Sequence, residues 1–205
     1  KYGLPLTYAW EEPTKCVLDY YQINHCPMIG ISWGGYFVMR AAAFEKRISA
    51  VVAYDVADDG LEIMTNVFPP ILRRLIRWVF AHKQEKLVNH LVRFAIHKSV
   101  LADWALSQGQ YITHTKSPYR FYQEVQKHTL RGVCDRITQD CLLLAGEKDH
   151  YIPIDQFERL QSSLPNARSV KKCVFTQAEG GEQHCQIGNH QLALNEITQW
   201  LEGLE

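Results

Sequence analysis

One bend constrains this chain more than anything else in it. The apolar run Cys26–Ile31 reads as a short strand, and the Ala-rich stretch from Gly35 to Glu45 reads as a helix. Between them stands Gly30-Ile31-Ser32-Trp33-Gly34-Gly35, a Gly-x-Ser-x-Gly-Gly pattern. A chain that leaves a strand and enters a helix over so few residues must turn sharply. Gly30 and Gly34 are expected to remove Cβ atoms that would collide across the turn. Ser32 is then held at the tip, in strained backbone, with its hydroxyl exposed. The amide of Trp33, at the helix start, points where negative charge on an oxygen could be held. Strand, serine-bearing turn and helix together are the context of a nucleophile elbow. The plainer reading is a Gly-rich turn with an idle serine.

The rest of the chain repeats the alternation. Ser49–Asp55, Asp140–Ala145 and Val170–Thr176 read, like Cys26–Ile31, as buried strands. Asp140-Cys141-Leu142-Leu143-Leu144-Ala145 is apolar without alternation beyond its first residue, as expected of a strand covered on both faces. Helical stretches fall at Pro13–Tyr21, Gly35–Glu45, Ile154–Ser163 and Gln191–Leu201. Alternating strands and helices predict an α/β fold with a parallel sheet and helices on both faces.

One segment interrupts that pattern. From Val56 to about Arg136 no run reads as a strand. Pro69-Pro70 opens a helix carrying Leu72, Leu75, Ile76, Val79 and Phe80 at helical spacing, and Leu87, Val88, Leu91, Val92 and Ala95 continue a similar stripe. Ser117-Pro118 marks another helix start, as cap and first-turn proline. The organisation expected is core over 1–56, a helical insertion over 57–136, and the remainder of the core over 137–205. The insertion's first half is basic, with Arg73, Arg74, Arg77, Lys83, Lys86, Arg93 and Lys98 against Glu85. A lid is expected, ahead of a membrane or anion surface or a partner interface.

Composition narrows the setting. The 205 residues suit one domain with an insertion, and a formal net charge of zero offers no global field for nucleic acid or an anionic membrane. No apolar run approaches the ~20 residues of a membrane span, so none is expected. None of the six cysteines (Cys16, Cys26, Cys134, Cys141, Cys173, Cys185) forms a C-x-x-C pair, which removes zinc-ribbon and thioredoxin-like readings. Three of them begin or adjoin apolar strand-like runs, so reduced thiols and a cytoplasmic protein are expected. No metal or organic cofactor is implied.

A serine hydroxyl needs a base to take its proton, and the base needs an acid to orient it. The run after the third strand, Gly146-Glu147-Lys148-Asp149, puts Asp149 just past a parallel strand, where catalytic groups gather. Asp149 is the expected acid, with Asp55, Asp58 and Asp59 in reserve. Its alternative is a turn residue or helix cap. His184, in the Gly-containing loop after the fourth strand, is the expected general base. His190 sits too near the last helix's start, where the dipole disfavours its cation. His150 adjoins Asp149 and cannot easily accept its orienting bond. His25 and the five histidines of the insertion read as surface or packing residues.

Gly30-Ile31-Ser32-Trp33-Gly34-Gly35-Tyr36, Gly146-x-x-Asp149-x-x-Ile152-Pro153 and His184-Cys185-Gln186-x-x-Asn189 resemble the α/β-hydrolase superfamily. Within it the chain is similar to serine hydrolases related to prolyl oligopeptidases and acylaminoacyl peptidases. The nearest branch holds fermentation-respiration-switch-like esterases and 2,6-dihydroxypseudooxynicotine hydrolase, and Arg47-Ile48-Ser49-Ala50-Val51-Val52 strengthens it. The resemblance spans about Tyr2 to Glu202. It implies the second half of a three-layer α/β-hydrolase sandwich with a helical lid. It also implies ester or amide cleavage of a small acyl substrate through Ser32, His184 and Asp149. The family fold has eight strands, of which four are legible, and no His-Gly-Gly loop for a second oxyanion donor precedes Ser32. A fragment of a longer protein is therefore expected, or an edge that pairs with another chain, as in a homodimer. Two alternatives stand: carbon–carbon bond hydrolysis on the same fold, and a non-catalytic module that kept the fold.

Overall fold

The computed structural model describes residues 3–66, 68–96 and 99–204. Lys98 of the basic run, Tyr2 at one end of the family resemblance and His97 lie outside them. In chain order the elements are α1 (Glu11–Tyr20), β1 (Cys26–Ile31), α2 (Trp33–Ala42), β2 (Ile48–Tyr54), α3 (Gly60–Asn66), α4 (Pro70–Ala81), α5 (Glu85–Ile96), α6 (Val100–Thr113), α7 (Pro118–Val125), β3 (Asp140–Gly146), α8 (Ile154–Ser162), β4 (Ser169–Phe175) and α9 (His190–Glu202). They fall into two compact units. One joins the chain up to Tyr8 with Gly60–His128, and the other joins Ala9–Asp59 with Thr129–Glu205.

The second unit is the α/β body. Among its described residues one sheet runs in the order β1-β2-β3-β4, every neighbouring pair parallel. Parallel strands need long crossovers, which the helices between them supply. Ala50, Val52, Tyr54, Leu142, Leu144 and Phe175 form one face, covered by Ala193, Ile197 and Trp200 of α9. The intervening Val51, Ala53, Cys141 and Leu143 are just as buried, so β2 and β3 are enclosed on both sides. β4 departs from the expectation of burial, whereas the open edge expected of a half sheet falls on β1. Ile29 and Ile31 of β1 are about half exposed (48% and 54%), and Lys171, Lys172 and Val174 of β4 are also exposed. Among the described residues both strands lie at sheet edges, with one neighbour each. Lysines on such an edge deter strand addition. At the centre, Leu142→Ala should cost about 3 kcal/mol in a urea titration, because the fully buried side chain would leave a cavity that the sheet cannot close.

The first unit is helical. Pro70 enters α4 at its first turn, and the Ser117 hydroxyl caps α7 by accepting from the Arg120 amide at 3.3 Å. Ile76, Val79, Val88 and Val92, each fully buried, fill the interior. Phe80 packs against Tyr119 and Tyr122 with ring centroids 5.2 and 6.4 Å apart. The Leu6 amide donates to the Ile112 carbonyl at 2.8 Å, tying the opening segment to α6.

Candidate active site

Each parallel strand of the body hands one chemically active side chain to the loop at its carboxyl end. Ser32 follows β1, Asp55 follows β2, Asp149 follows β3, and His184 lies beyond β4. In open α/β sheets this is the end where ligands bind.

The bend at Ser32 has the strained geometry its glycines suggest. Ser32 sits at φ 58°, ψ −122°, and α2 begins at Trp33. A Cβ on Gly30 would lie 2.0 Å from the Gly34 carbonyl oxygen. One on Gly35 would press at 3.1 Å on the Asp55 oxygen and the Val56 Cα. Gly34 departs from expectation: a Cβ there would meet open space. Clearance is therefore required at Gly30 and Gly35. Gly34 supplies the carbonyl that Gly30 must avoid, because the helix turns its own Cα outward.

Ser32 Oγ and His184 Nε2 are 2.8 Å apart, and His184 Nδ1 lies 2.6 Å from Asp149 Oδ2. Asp149 divides its two oxygens. Oδ1 accepts from the Tyr151 and Ile152 amides at 2.8 and 3.0 Å, which fixes the carboxylate, and Oδ2 serves the imidazole. The contacts expected of a turn residue and those expected of an orienting acid thus fall on different oxygens of one group. The acid and histidine loops are joined directly, since the Lys148 amide donates to the Glu182 carbonyl at 2.9 Å. Gly146 permits this approach, since a Cβ there would stand 2.4 Å from the Glu182 oxygen. Burial disfavours the His184 cation, but the Asp149 bond and the Cys185 contact outweigh it and hold the imidazole above its ordinary value.

Of the reserve acids, Asp55 belongs to the cluster. Its side chain is fully buried, and its Oδ2 lies 3.6 Å from His184 Nδ1. Asp58 instead has its carboxylate 3.6 Å from Arg159, and its backbone amide is held by the fully buried Gln156 at 3.0 Å. Asp59 faces Arg131 at 3.2 Å. His190 opens α9 and directs Nδ1 to the Cys185 carbonyl at 2.9 Å, and the His150 ring stands 6.3 Å from that of His184. All six cysteines are free thiols. Asp55, His184 and Cys185 also bring metal-type donor atoms within 4.8 Å of one another. Their donors are already engaged: the imidazole by Asp149, and the Asp55 carboxylate by loop N–H groups. No helix among the described residues is long and apolar enough to cross a membrane.

A family model for the alpha/beta hydrolase fold matches residues 7–180. The chain belongs to the alpha/beta-hydrolase family. Among related sequences, this alpha/beta-hydrolase chain is 25% identical to Hydrolyase ccsE of Aspergillus clavatus, over 98% of the chain and 51% of the relative. Among solved structures it is similar to 2,6-dihydroxy-pseudo-oxynicotine hydrolase, at a TM-score of 0.64 and 16% identity, covering 96% of the chain and 46% of that structure. It is also similar to the meta-cleavage product hydrolase of Pseudomonas fluorescens IP01, at a TM-score of 0.63 and 16% identity, covering 100% of the chain and 75% of that structure. The chain spans about half the length of the curated relatives it matches.

Proposed function

We propose that the protein is a serine hydrolase that cleaves an ester or amide of a small acyl group, through an acyl-enzyme that water releases. The observation that carries the reading is the unbroken relay from Ser32 Oγ to His184 Nε2 at 2.8 Å and from His184 Nδ1 to Asp149 Oδ2 at 2.6 Å. In it His184 takes the serine proton as Oγ attacks the carbonyl, then returns it to the leaving group. Asp149 holds the tautomer and steadies the imidazolium. The Trp33 amide, first in α2, donates to the oxygen that becomes negative. The free thiols support a reducing, cytoplasmic setting.

A fluorophosphonate probe should label Ser32 and no other serine, read by peptide mass spectrometry. Correctly folded protein that stays unlabelled would count against the proposal. The base must be neutral to act, and its pKa is held high. Activity on p-nitrophenyl acetate should therefore fall as pH drops through that raised value. Asp149→Asn removes the leading cause that raises it. The acid limb of kcat/KM should then move to lower pH while the plateau drops about 10⁴-fold.

A second reading keeps the three residues and changes the bond. The likeness to a meta-cleavage product hydrolase and to 2,6-dihydroxy-pseudo-oxynicotine hydrolase favours carbon–carbon cleavage beside a carbonyl. Turnover of an aryl 1,3-diketone exceeding that of p-nitrophenyl acetate would select it.

A further inference from the structure

Asp55 has no part in the relay just described, yet the fold spends much on its placement. The strand order β1-β2-β3-β4 sets the loop after β2 between the loops that carry Ser32 and Asp149. Asp55 is the first residue of that loop, fully buried, and stands at φ 59°, a left-handed conformation uncommon for a residue with a Cβ. Both of its oxygens accept from the turn that carries the histidine. Oδ2 takes the Cys185 amide, and Oδ1 takes Gln186 Nε2 at 3.2 Å. Cys185 and Gln186 are themselves left-handed, at φ 51° and 45°. The preceding residue adds a third tie, since the Tyr54 hydroxyl donates to the Cys185 carbonyl at 2.9 Å. Burial pushes the Tyr54 phenol up to about 12, so that proton stays in place. Outliers of backbone geometry gather where a site must be held against its own preference.

We propose that Asp55 is a positioning residue: its carboxylate pins the turn carrying His184 and presents the imidazolium with a second anion beside Asp149, on the same Nδ1 side of the ring. The proposal rests on the serine-hydrolase reading for its kinetic consequence and on the bonds around Asp55 for the rest. Both Asp55 oxygens accept from N–H donors, and such bonds favour the ionised carboxyl. Burial, with the Asp149 charge, holds the carboxyl above its ordinary value, and the Cys185 amide, Gln186 and His184 offset part of that rise. The ionisable groups facing His184 are Asp149, Asp55 and Cys185, with the His150 and Tyr151 rings alongside at 6.3 and 5.0 Å. Two of these are carboxylates within 4 Å of Nδ1, and removing either charge weakens the cation.

Asp55→Asn keeps the size and an acceptor oxygen while deleting the charge. In the full chain with labelled histidine, the His184 imidazole should titrate about one pH unit lower in this variant than in the wild type. An unchanged titration overturns the proposal. On p-nitrophenyl acetate, kcat should fall about tenfold with KM held, and the acid limb should move to lower pH. A merely structural role would lower the rate without that movement, and this result also overturns the proposal. Should Asp55→Asn fail to fold, the wild type answers instead. Its Cys185 amide proton should resist exchange, and exchange as fast as that of an unstructured peptide overturns the clamp. Wild type inert to both ester and fluorophosphonate would sink the hydrolase reading, and the histidine titration would still decide for or against Asp55.

Discussion

Ser32→Ala should abolish fluorophosphonate labelling and lower ester turnover about 10⁴- to 10⁶-fold, while the protein stays folded. The size follows from the arrangement. Ser32 Oγ lies 2.8 Å from the one imidazole in the cluster whose other nitrogen is held by a carboxylate. Removing the nucleophile leaves the base with nothing to deprotonate except water, and residual catalysis falls to what binding and the oxyanion donor supply. The fold should survive because Ala accepts the same φ of 58° that Ser already endures. The main-chain bonds of the bend, Ser32 N–H to the Tyr54 carbonyl at 2.7 Å and Gly35 N–H to the Ser32 carbonyl at 2.8 Å, do not involve the hydroxyl. Burst kinetics, labelling and a thermal melt on the same preparation test all three expectations. Undiminished turnover in the folded variant would remove Ser32 from the chemistry and leave a family member that works by other residues.

What could be read beforehand divides along physical lines. The strand at Cys26–Ile31, the helix entered through Pro70 and the Ser117 cap are local: a short apolar run, a ring with no N–H to lose, a hydroxyl near orphan amides. Such signals survive in one dimension. The bend at Ser32 is only half local: Gly30 answers to Gly34 and Val38 a few residues on, but Gly35 answers to Asp55 and Val56 at the end of the next strand. Even there Gly34 was legible only as part of a pattern, because whether a Cβ collides depends on which way the helix turns. Cover over β4 was not legible, because burial is decided by strand order and that order sets β4 at an edge, whereas the open flank of β1 follows from finding only the later four strands. The meeting of His184 with Asp149 followed from position, each lying beyond the end of a strand. The engagement of Asp55 with the Cys185 amide did not, because it joins residues 130 apart through a backbone group that every residue possesses. The division of Asp149 is half local, since its amide partners Tyr151 and Ile152 follow closely and only the imidazole is distant in sequence.

Gly30→Ala should be among the most disruptive single changes in the body. A methyl group there would stand 2.0 Å from the Gly34 oxygen, 2.4 Å from the Gly34 carbonyl carbon and 2.8 Å from Val38 Cγ1. Side chains yield to such contacts by changing rotamer, and overpacking of that kind costs about 1–3 kcal/mol. Here two of the three atoms are backbone of α2's first turn. Relief therefore requires the helix to lift from β1, against which it packs, or the strand to slide against β2, with which Gly30 is in register opposite Ala53. Either movement disturbs buried Val38 and Met39 as well, so a loss above about 4 kcal/mol is expected in urea denaturation. Whatever fraction still folds should have lost the distance of Ser32 Oγ from His184, since both sides of the bend would have moved. An alanine variant that melts with the wild type and keeps its labelling would mean that the bend can open at Gly34 without cost, and that the glycine is a tolerated residue and not a requirement of the turn.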